Sequence, residues 1–326
     1  MNRPRIALTL GDPAGIGPEL AAKTLSRPGI LDSAEVYVLA DRSEVERAFA
    51  DAQLPMVPDG EPAPGRITIL DDASAPAQEP VRGEVSEAAG ARALHQLRRA
   101  IDLAKSGEVG AIVFAPLNKT SLHLAGMHEE DELRWFAKQL DFDGTTSELN
   151  VLGDLWTARV TSHIPLSGVA ERITTPNVIA AIRLLNGVLR DAGHQPRIGV
   201  CALNPHNGEN GNFGREEIDE IRPAVEALAG EGIDVKGPFP SDTIFLAAQR
   251  GDFNGIVTMY HDQGQIAMKL LGFSGGVTIQ GGLPVAITTP AHGTAFEIVG
   301  QGIADPTSTD NAFDIAAAVA ASRLVH

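Results

Sequence analysis

The chain has 326 residues, 43% of them hydrophobic, enough to build two compact units rather than one small core. Lys and Arg number 26 against 42 Asp and Glu, and the formal charge of −16 excludes a broad footprint on nucleic acid or on an anionic membrane while leaving room for an anionic small molecule held by local positive groups. Cys201 is the single cysteine, so no intrachain disulfide can form; a soluble cytoplasmic chain is expected, because the apolar run near Met1 is too short for a signal-peptide core or a membrane span.

In chain order, Ile6 to Leu10 is a short apolar run that ends at Gly11-Asp12-Pro13-Ala14-Gly15-Ile16-Gly17-Pro18-Glu19. The segment from Pro18 to Lys23 then opens a helical pattern with a proline and an acid in its first turn. Glu35 to Leu39 and Ile67 to Leu70 are predicted strands, Ser86 to Lys105 a helix and Ala111 to Phe114 a buried strand. Beyond Pro116, strands are expected at Leu155 to Thr161, Arg197 to Leu203 and Gly255 to Met259. Helices are expected near Asn177 to Ala192, Arg215 to Leu228 and Asp242 to Gln249. Asp59 to Gly65 and Asp71 to Arg82 are predicted surface loops. Alternation of strand and helix implies an α/β fold with largely parallel sheets.

Three histidines follow predicted strands or lie in short polar loops: His163 in Thr161-Ser162-His163-Ile164-Pro165, His206 in Asn204-Pro205-His206-Asn207-Gly208, and His261 in Tyr260-His261-Asp262-Gln263-Gly264. Ligands in open α/β sheets bind at the carboxyl ends of strands. The spacing is too wide for a local metal motif, so any convergence must come from the fold or from a subunit interface. Three neutral imidazoles suit a divalent ion such as Zn, Co, Mn or Ni and leave positions open for substrate oxygens. Each histidine taken singly is better read as a hydrogen-bonded loop residue, and it is the three in matching contexts that shift the reading towards a metal site.

The Gly11 to Glu19 loop and the late run Pro290-Ala291-His292-Gly293-Thr294-Ala295 resemble the terminal motifs of the β-hydroxyacid oxidative decarboxylases, the isocitrate and isopropylmalate dehydrogenases. With Asn204-Pro205-His206 and His261-Asp262-Gln263-Gly264 added, the chain resembles the 4-hydroxythreonine-4-phosphate dehydrogenase family and its paralogues nearly end to end. That resemblance implies a two-lobed α/β fold of the isocitrate/isopropylmalate dehydrogenase kind with a cleft between lobes. One lobe would comprise residues 1–115 plus 275–326 on the cofactor side, and the other residues 116–274, carrying the metal, the substrate and the dimer contact. It implies NAD or NADP as cofactor, held by Gly11, Asp12, Gly15, Gly17, His292, Gly293, Thr294 and Ala295 with Asn311. It also implies one divalent metal (Zn, Co, Mn, Ni or Mg) on His163, His206 and His261, drawn from both subunits of a homodimer. The ion would polarise a substrate hydroxyl for hydride transfer and stabilise charge on loss of carbon dioxide.

Lys119 resembles a lysine of the family that follows a strand, and Lys269 follows the His-Asp-Gln-Gly loop. Either could hold a carboxylate or move a proton, and either could be a solvated surface lysine. Asp242 is an acid near the metal or a helix N-cap. Gly293, Gly300 and Gly302 are also compatible with ordinary turns, and Gly15 and Gly17 do not make a Rossmann fingerprint, because Leu20 stands where the third glycine is needed.

Four positions depart from the phosphate-specific pattern: Glu132 and Leu133 replace a His and a Thr, Thr278 an Asn and Ile287 an Arg. A phosphate would lose several partners there, at roughly 1.5–3 kcal/mol for each charge-assisted hydrogen bond, and the acids of Glu129 to Glu132 would repel a dianion. The alternative for that run is a solvated helix face with Trp135 and Phe136 turned inward and Arg134 replacing the missing charge. The expected function is therefore a metal-dependent NAD(P) dehydrogenase of a β-hydroxy acid, with decarboxylation. A paralogue acting on a non-phosphorylated diol or cis-dihydrodiol carboxylate, and a catalytically silent metabolite-binding homologue, are the alternatives. A silent scaffold has no physical need for three potential ligands, and no P-loop or nucleophile elbow points to other chemistry.

Overall fold

The computed structural model describes residues 3–76, 78–272 and 274–324. The chain folds as two compact units. One runs to Asp143 and resumes at Leu283, and the other is Gly144–Gly282. The boundaries differ from those expected at 115/116 and 274/275. Residues 116–143 pack with the first unit because Leu122, Met127, Leu133, Trp135 and Phe136 are part of its core, while Val277–Gly281 pairs with Ser147–Leu152 in the second.

The first unit contains β1 (Arg5–Thr9), α1 (Gly17–Leu25), α2 (Ile30–Ser33), β2 (Glu35–Val38), α3 (Arg42–Asp51), β3 (Ile67–Ile69), α4 (Glu87–Lys105), β4 (Ala111–Phe114), α5 (Lys119–Leu124) and α6 (Glu132–Gln139). The second contains β5 (Ser147–Leu152), β6 (Leu155–Arg159), α7 (Thr175–Asp191), β7 (Ile198–Cys201), α8 (Arg222–Gly230), β8 (Val235–Phe239), α9 (Ser241–Gln249), β9 (Gly255–Thr258), α10 (His261–Leu271) and β10 (Val277–Gly281). The chain then returns to the first unit for β11 (Ala286–Pro290) and α11 (Thr307–Arg323).

The strands of the first unit lie in the order β3-β2-β1-β4-β11, and every pairing is parallel. Such strands are covered on both faces, which explains the unbroken apolar runs at Ile6 to Leu8 and Ala111 to Phe114. The second unit has the order β10-β5-β6-β9-β7-β8. Its β6-β9-β7-β8 part is parallel, whereas β5 runs antiparallel to both β10 and β6.

Local chemistry accounts for the helix starts. Ser86 caps α4, its hydroxyl accepting from the Ala89 N–H at 3.2 Å, and Glu44 reaches back to the Asp41 N–H at 2.9 Å to close a capping box on α3. The acidic run 129–132 lies at the start of α6: Asp131 accepts from the Arg134 N–H at 2.8 Å, Glu129 pairs with Lys138, and negative charge at a helix N-terminus is favourable. Trp135 and Phe136 are buried, and Arg134 is exposed. Among the described residues no helix is long and apolar enough to cross a membrane.

Candidate active site

Register explains why two of the three histidines meet. In the parallel β6/β9 pair, Arg159 lies opposite Thr258, so residues four and three positions further on emerge at the same sheet edge. His163 and His261 are those residues. Their ring centroids are 5.5 Å apart, and they line a cavity of about 320 Å³ together with the polar residues Thr161, Ser162, Tyr260 and Asp262 and the apolar residues Ile164, Leu166 and Val169. His163 has φ 51°, in the left-handed region, and such backbone in a non-glycine residue concentrates at functional sites. The His261 Nδ1 lies 2.6 Å from Asp262 Oδ1, which fixes the ring orientation and leaves Nε2 to a ligand, the arrangement common around metal-bound histidines.

The donors suit a divalent ion. Two imidazoles sharing one ion at about 2 Å have ring centroids about 5 Å apart. His206 does not join them within one chain. It follows β7, the other parallel neighbour of β9, and its ring lies 6.3 Å from that of Phe213. Among the described residues of the single chain, no group of three or more His, Cys, Asp or Glu side chains is gathered closely enough to hold a metal.

In the first unit the two loops singled out at either end of the chain touch. The Ile16 N–H donates to the Thr294 carbonyl at 3.0 Å, and a Cβ on Gly15 would lie 2.7 Å from Thr294 Cβ. Glycine is required there by the close approach of the second loop. Gly11, Asp12, Gly15, Gly17 and Thr294 are buried, whereas Gly293 is exposed and His292 and Ala295 are half-buried. Asn311 is half-buried in the first turns of α11. Burial pushes the Asp12 carboxyl above its ordinary value, opposed by hydrogen bonds from the Ala14 N–H and Ser121. A second cavity, of about 140 Å³, abuts this loop, lined by Gly11, Pro13, Pro18 and Gln96 and by Arg47, Arg82 and Arg92 among other residues. Arg92 is itself buried against Asp41 and Glu44.

Lys119 starts α5, half-exposed, with Nζ 3.8 Å from Glu132 Oε2. Lys269 is exposed in the last turn of α10. Asp242 is exposed in the first turn of α9 and is not its N-cap, which is Pro240: the helix starts two residues earlier than the N-cap reading requires. Of the four substrate positions, Ile287 is fully buried in β11 and Leu133 is 4% exposed. Both belong to the hydrophobic core of the first unit, so neither presents its side chain to a ligand. Thr278 accepts from Asn150 Nδ2 at 3.3 Å.

Sequence reasoning passed over Asp262 as the partner of His261, although adjacency to a candidate histidine is a usable signal. It also passed over Gln263, whose Oε1 accepts from the Met259 N–H at 2.7 Å and whose Nε2 donates to the Ala202 carbonyl at 2.8 Å. That side chain ties the start of α10 to the end of β7, and only the tertiary fold reveals it.

The pyridoxal phosphate biosynthetic protein PdxA family model matches residues 32–316. A Pseudomonas aeruginosa relative, provisionally named a second 4-hydroxythreonine-4-phosphate dehydrogenase, is 50% identical over 96% of both chains. The crystal structure of 4-hydroxythreonine-4-phosphate dehydrogenase from Klebsiella pneumoniae is 36% identical with a TM-score of 0.83, covering 98% of each chain. That of a terephthalate 1,2-cis-dihydrodiol dehydrogenase from Burkholderia xenovorans is 30% identical with a TM-score of 0.70, covering 94% of this chain and 95% of that one. A likeness of fold alone extends to a β-decarboxylating dehydrogenase from Thermococcus kodakarensis, at 17% identity and a TM-score of 0.52, covering 94% of this chain and 80% of that one. The chain belongs to the PdxA family, an α/β family whose members compared above are named as dehydrogenases.

Proposed function

We propose that this chain is a divalent-metal-dependent NAD(P) dehydrogenase that oxidises the hydroxyl of a β-hydroxy acid related to 4-hydroxythreonine 4-phosphate, with decarboxylation of the product. The observation that carries the proposal is the His163/His261 pair, 5.5 Å between ring centroids, in a shared cavity beside Asp262, in a member of this dehydrogenase family. A bound divalent ion would supply Lewis acidity to the substrate hydroxyl. The chain's own residues do the rest. Asp262 holds the His261 ring in one orientation, Lys119 or Lys269 binds the substrate carboxylate or moves its proton, and the paired loops at Gly15 and Thr294 carry the dinucleotide.

His206 completes the ligand set from the partner subunit of a homodimer. Large apolar side chains exposed on the second unit, Leu166 at 70%, Ile266 at 61% and Leu270 at 83%, favour a protein partner on that unit. Turnover followed by NAD(P)H formation is expected to cease on chelation and to return with Zn, Co, Mn, Ni or Mg, and chelator-insensitive turnover would refute the metal role.

A specific observation favours a second reading of the substrate. The positions where the phosphate-specific pattern has Thr and Arg carry Leu133 and Ile287, both sunk in the core, and Glu132 puts a carboxylate where the pattern has His. The substrate on this reading is a diol or hydroxy carboxylate without phosphate, as the name of the terephthalate dihydrodiol dehydrogenase indicates for that relative. Comparing turnover of 4-phosphohydroxy-L-threonine with that of non-phosphorylated diol acids decides between the two. Ordinary efficiency on the phosphorylated compound rejects the second reading.

A further inference from the structure

Among the described residues, the loop that carries His206 is built unlike any other. From His206 to Asn210 five consecutive residues have φ between 41° and 72°, with ψ from −6° to 59°, a left-handed turn in which four of the five bear side chains. L-residues visit this region singly and at a cost, and runs of it persist only where the surroundings over-determine them. The neighbouring element that does so is irregular as well. Glu217 opens a π-turn, Glu217–Ile221, ahead of α8, and it is fully buried.

One oxygen of the Glu217 carboxylate accepts from the Leu203 N–H at 2.9 Å and from the Asn204 N–H at 2.7 Å. The other accepts from Asn204 Nδ2 at 3.0 Å, and that amide also donates to Glu216 at 2.6 Å. Beneath the turn, a Cβ on Gly208 would come within 2.6 Å of Glu217 Oε2. The carboxylate thus grips the backbone just before His206 and closes against the middle of the left-handed turn just after it. Three charge-assisted hydrogen bonds to a buried acceptor hold geometry better than neutral ones.

We infer that Glu217 is a positioning residue for the metal centre: it locks the left-handed turn and thereby presents the His206 imidazole as a preformed ligand. This deepens the function proposed above and rests on His206 being a ligand. Glu217 does not itself touch metal or substrate.

The test is calorimetric titration of Co²⁺ into the metal-stripped, full-length protein, with NADH affinity and thermal melting of the metal-free protein measured alongside. Glu217→Gln keeps the shape but turns an NH₂ towards the Asn204 amide, so two donors face each other. Co²⁺ affinity is expected to fall about 10- to 100-fold, the range for residues that orient metal ligands, while NADH affinity is unchanged. Asn204→Ala removes one donor, leaves the carboxylate in place and is expected to give a smaller loss. It serves as the measurement if Glu217→Gln does not fold. A folded Glu217→Gln or Asn204→Ala protein that melts lower yet binds Co²⁺ within twofold of wild type would show a structural role only and overturn the inference. His206→Ala separates this from failure of the parent reading. If it abolishes Co²⁺ binding while Glu217→Gln does not, the role of Glu217 alone is rejected; if His206→Ala binds Co²⁺ like wild type, the metal assignment falls and the Glu217 role with it.

Discussion

Substituting alanine for Gly15 probes the contact that joins the two ends of the chain. The added Cβ would meet Thr294 Cβ at 2.7 Å and the Thr294 carbonyl oxygen at 2.9 Å. Carbon atoms pack best at about 3.5–4.0 Å, so the loops must part by about 1 Å. Gly15 and Thr294 are both buried, which leaves little room for that movement. Overpacking of this kind costs about 1–3 kcal/mol, and stretching the 3.0 Å bond from the Ile16 N–H to the Thr294 carbonyl adds about 0.5–1.5 kcal/mol. A loss of about 2–4 kcal/mol corresponds to a fall of about 4–16 °C in Tm for a unit of this size. Thermal melts by far-UV circular dichroism read the stability, and NADH fluorescence titration reads whether the displaced loops still hold the dinucleotide. Gly15→Ala combined with Thr294→Gly should recover part of the loss, because one of the two close contacts is then gone. A Gly15→Ala protein that melts within about 1 °C of wild type and binds NADH equally well would show that the loops move apart freely, and the cofactor reading of this contact would lose its support.

Restoring the family's arginine at Ile287 is expected to harm the protein. The side chain would enter the core of the first unit without a partner, costing about 3–5 kcal/mol in urea unfolding, and a stable Ile287→Arg protein that gained turnover on a phosphorylated substrate would mean that the β11 side chain faces the ligand after all. Asp12 gives a pH signature. Burial raises its native proton affinity above the ordinary value of 3.8, so below 3.8 both folded and unfolded chains are protonated and nothing is lost. As pH rises through the raised native value the unfolded chain gives up its proton first, and stability falls and stays lower above it. Asp12→Asn keeps an acceptor for the Ala14 N–H and should abolish that fall in a pH series of urea melts; unchanged slopes would contradict the assignment.

What the sequence reveals and conceals follows the range of the forces involved. Ser86 to Lys105 is legible because a capping hydroxyl and an amphipathic stripe are local signals, and the observed helix starts one residue after its Ser86 cap. The run Ala111 to Phe114 is legible because a strand covered on both faces is apolar at every position. Arg215 to Leu228 reads as one regular helix, and the chain is helical from Glu216 to Gly230, but Glu217–Ile221 within it is a π-turn. Pro223 lacks the N–H needed to continue a helix from upstream, so a regular helix begins only at Arg222. Upstream of it the π-turn swings Glu217 inward, to amides thirteen and fourteen positions back along the chain. Nothing in local periodicity marks a carboxylate for such a task.

The substrate positions fail for a related reason. A correspondence of sequence places Ile287 where an arginine stands in relatives, yet whether that side chain meets a ligand or the core depends on which face of β11 is covered, and here it is buried in the same core cluster as Phe114 and Leu133. The histidines occupy the middle ground. Their placement just after strands is local, while their meeting requires that β6 and β9 be paired in the register that aligns Arg159 with Thr258. A shift of one residue in that pairing would turn one ring away from the other. His206, on the next strand over, is set by a left-handed turn that its own sequence tolerates poorly, so its position is decided by what grips the turn. The part of the site that pattern alone cannot place is therefore the part most dependent on a buried acid with no chemistry of its own.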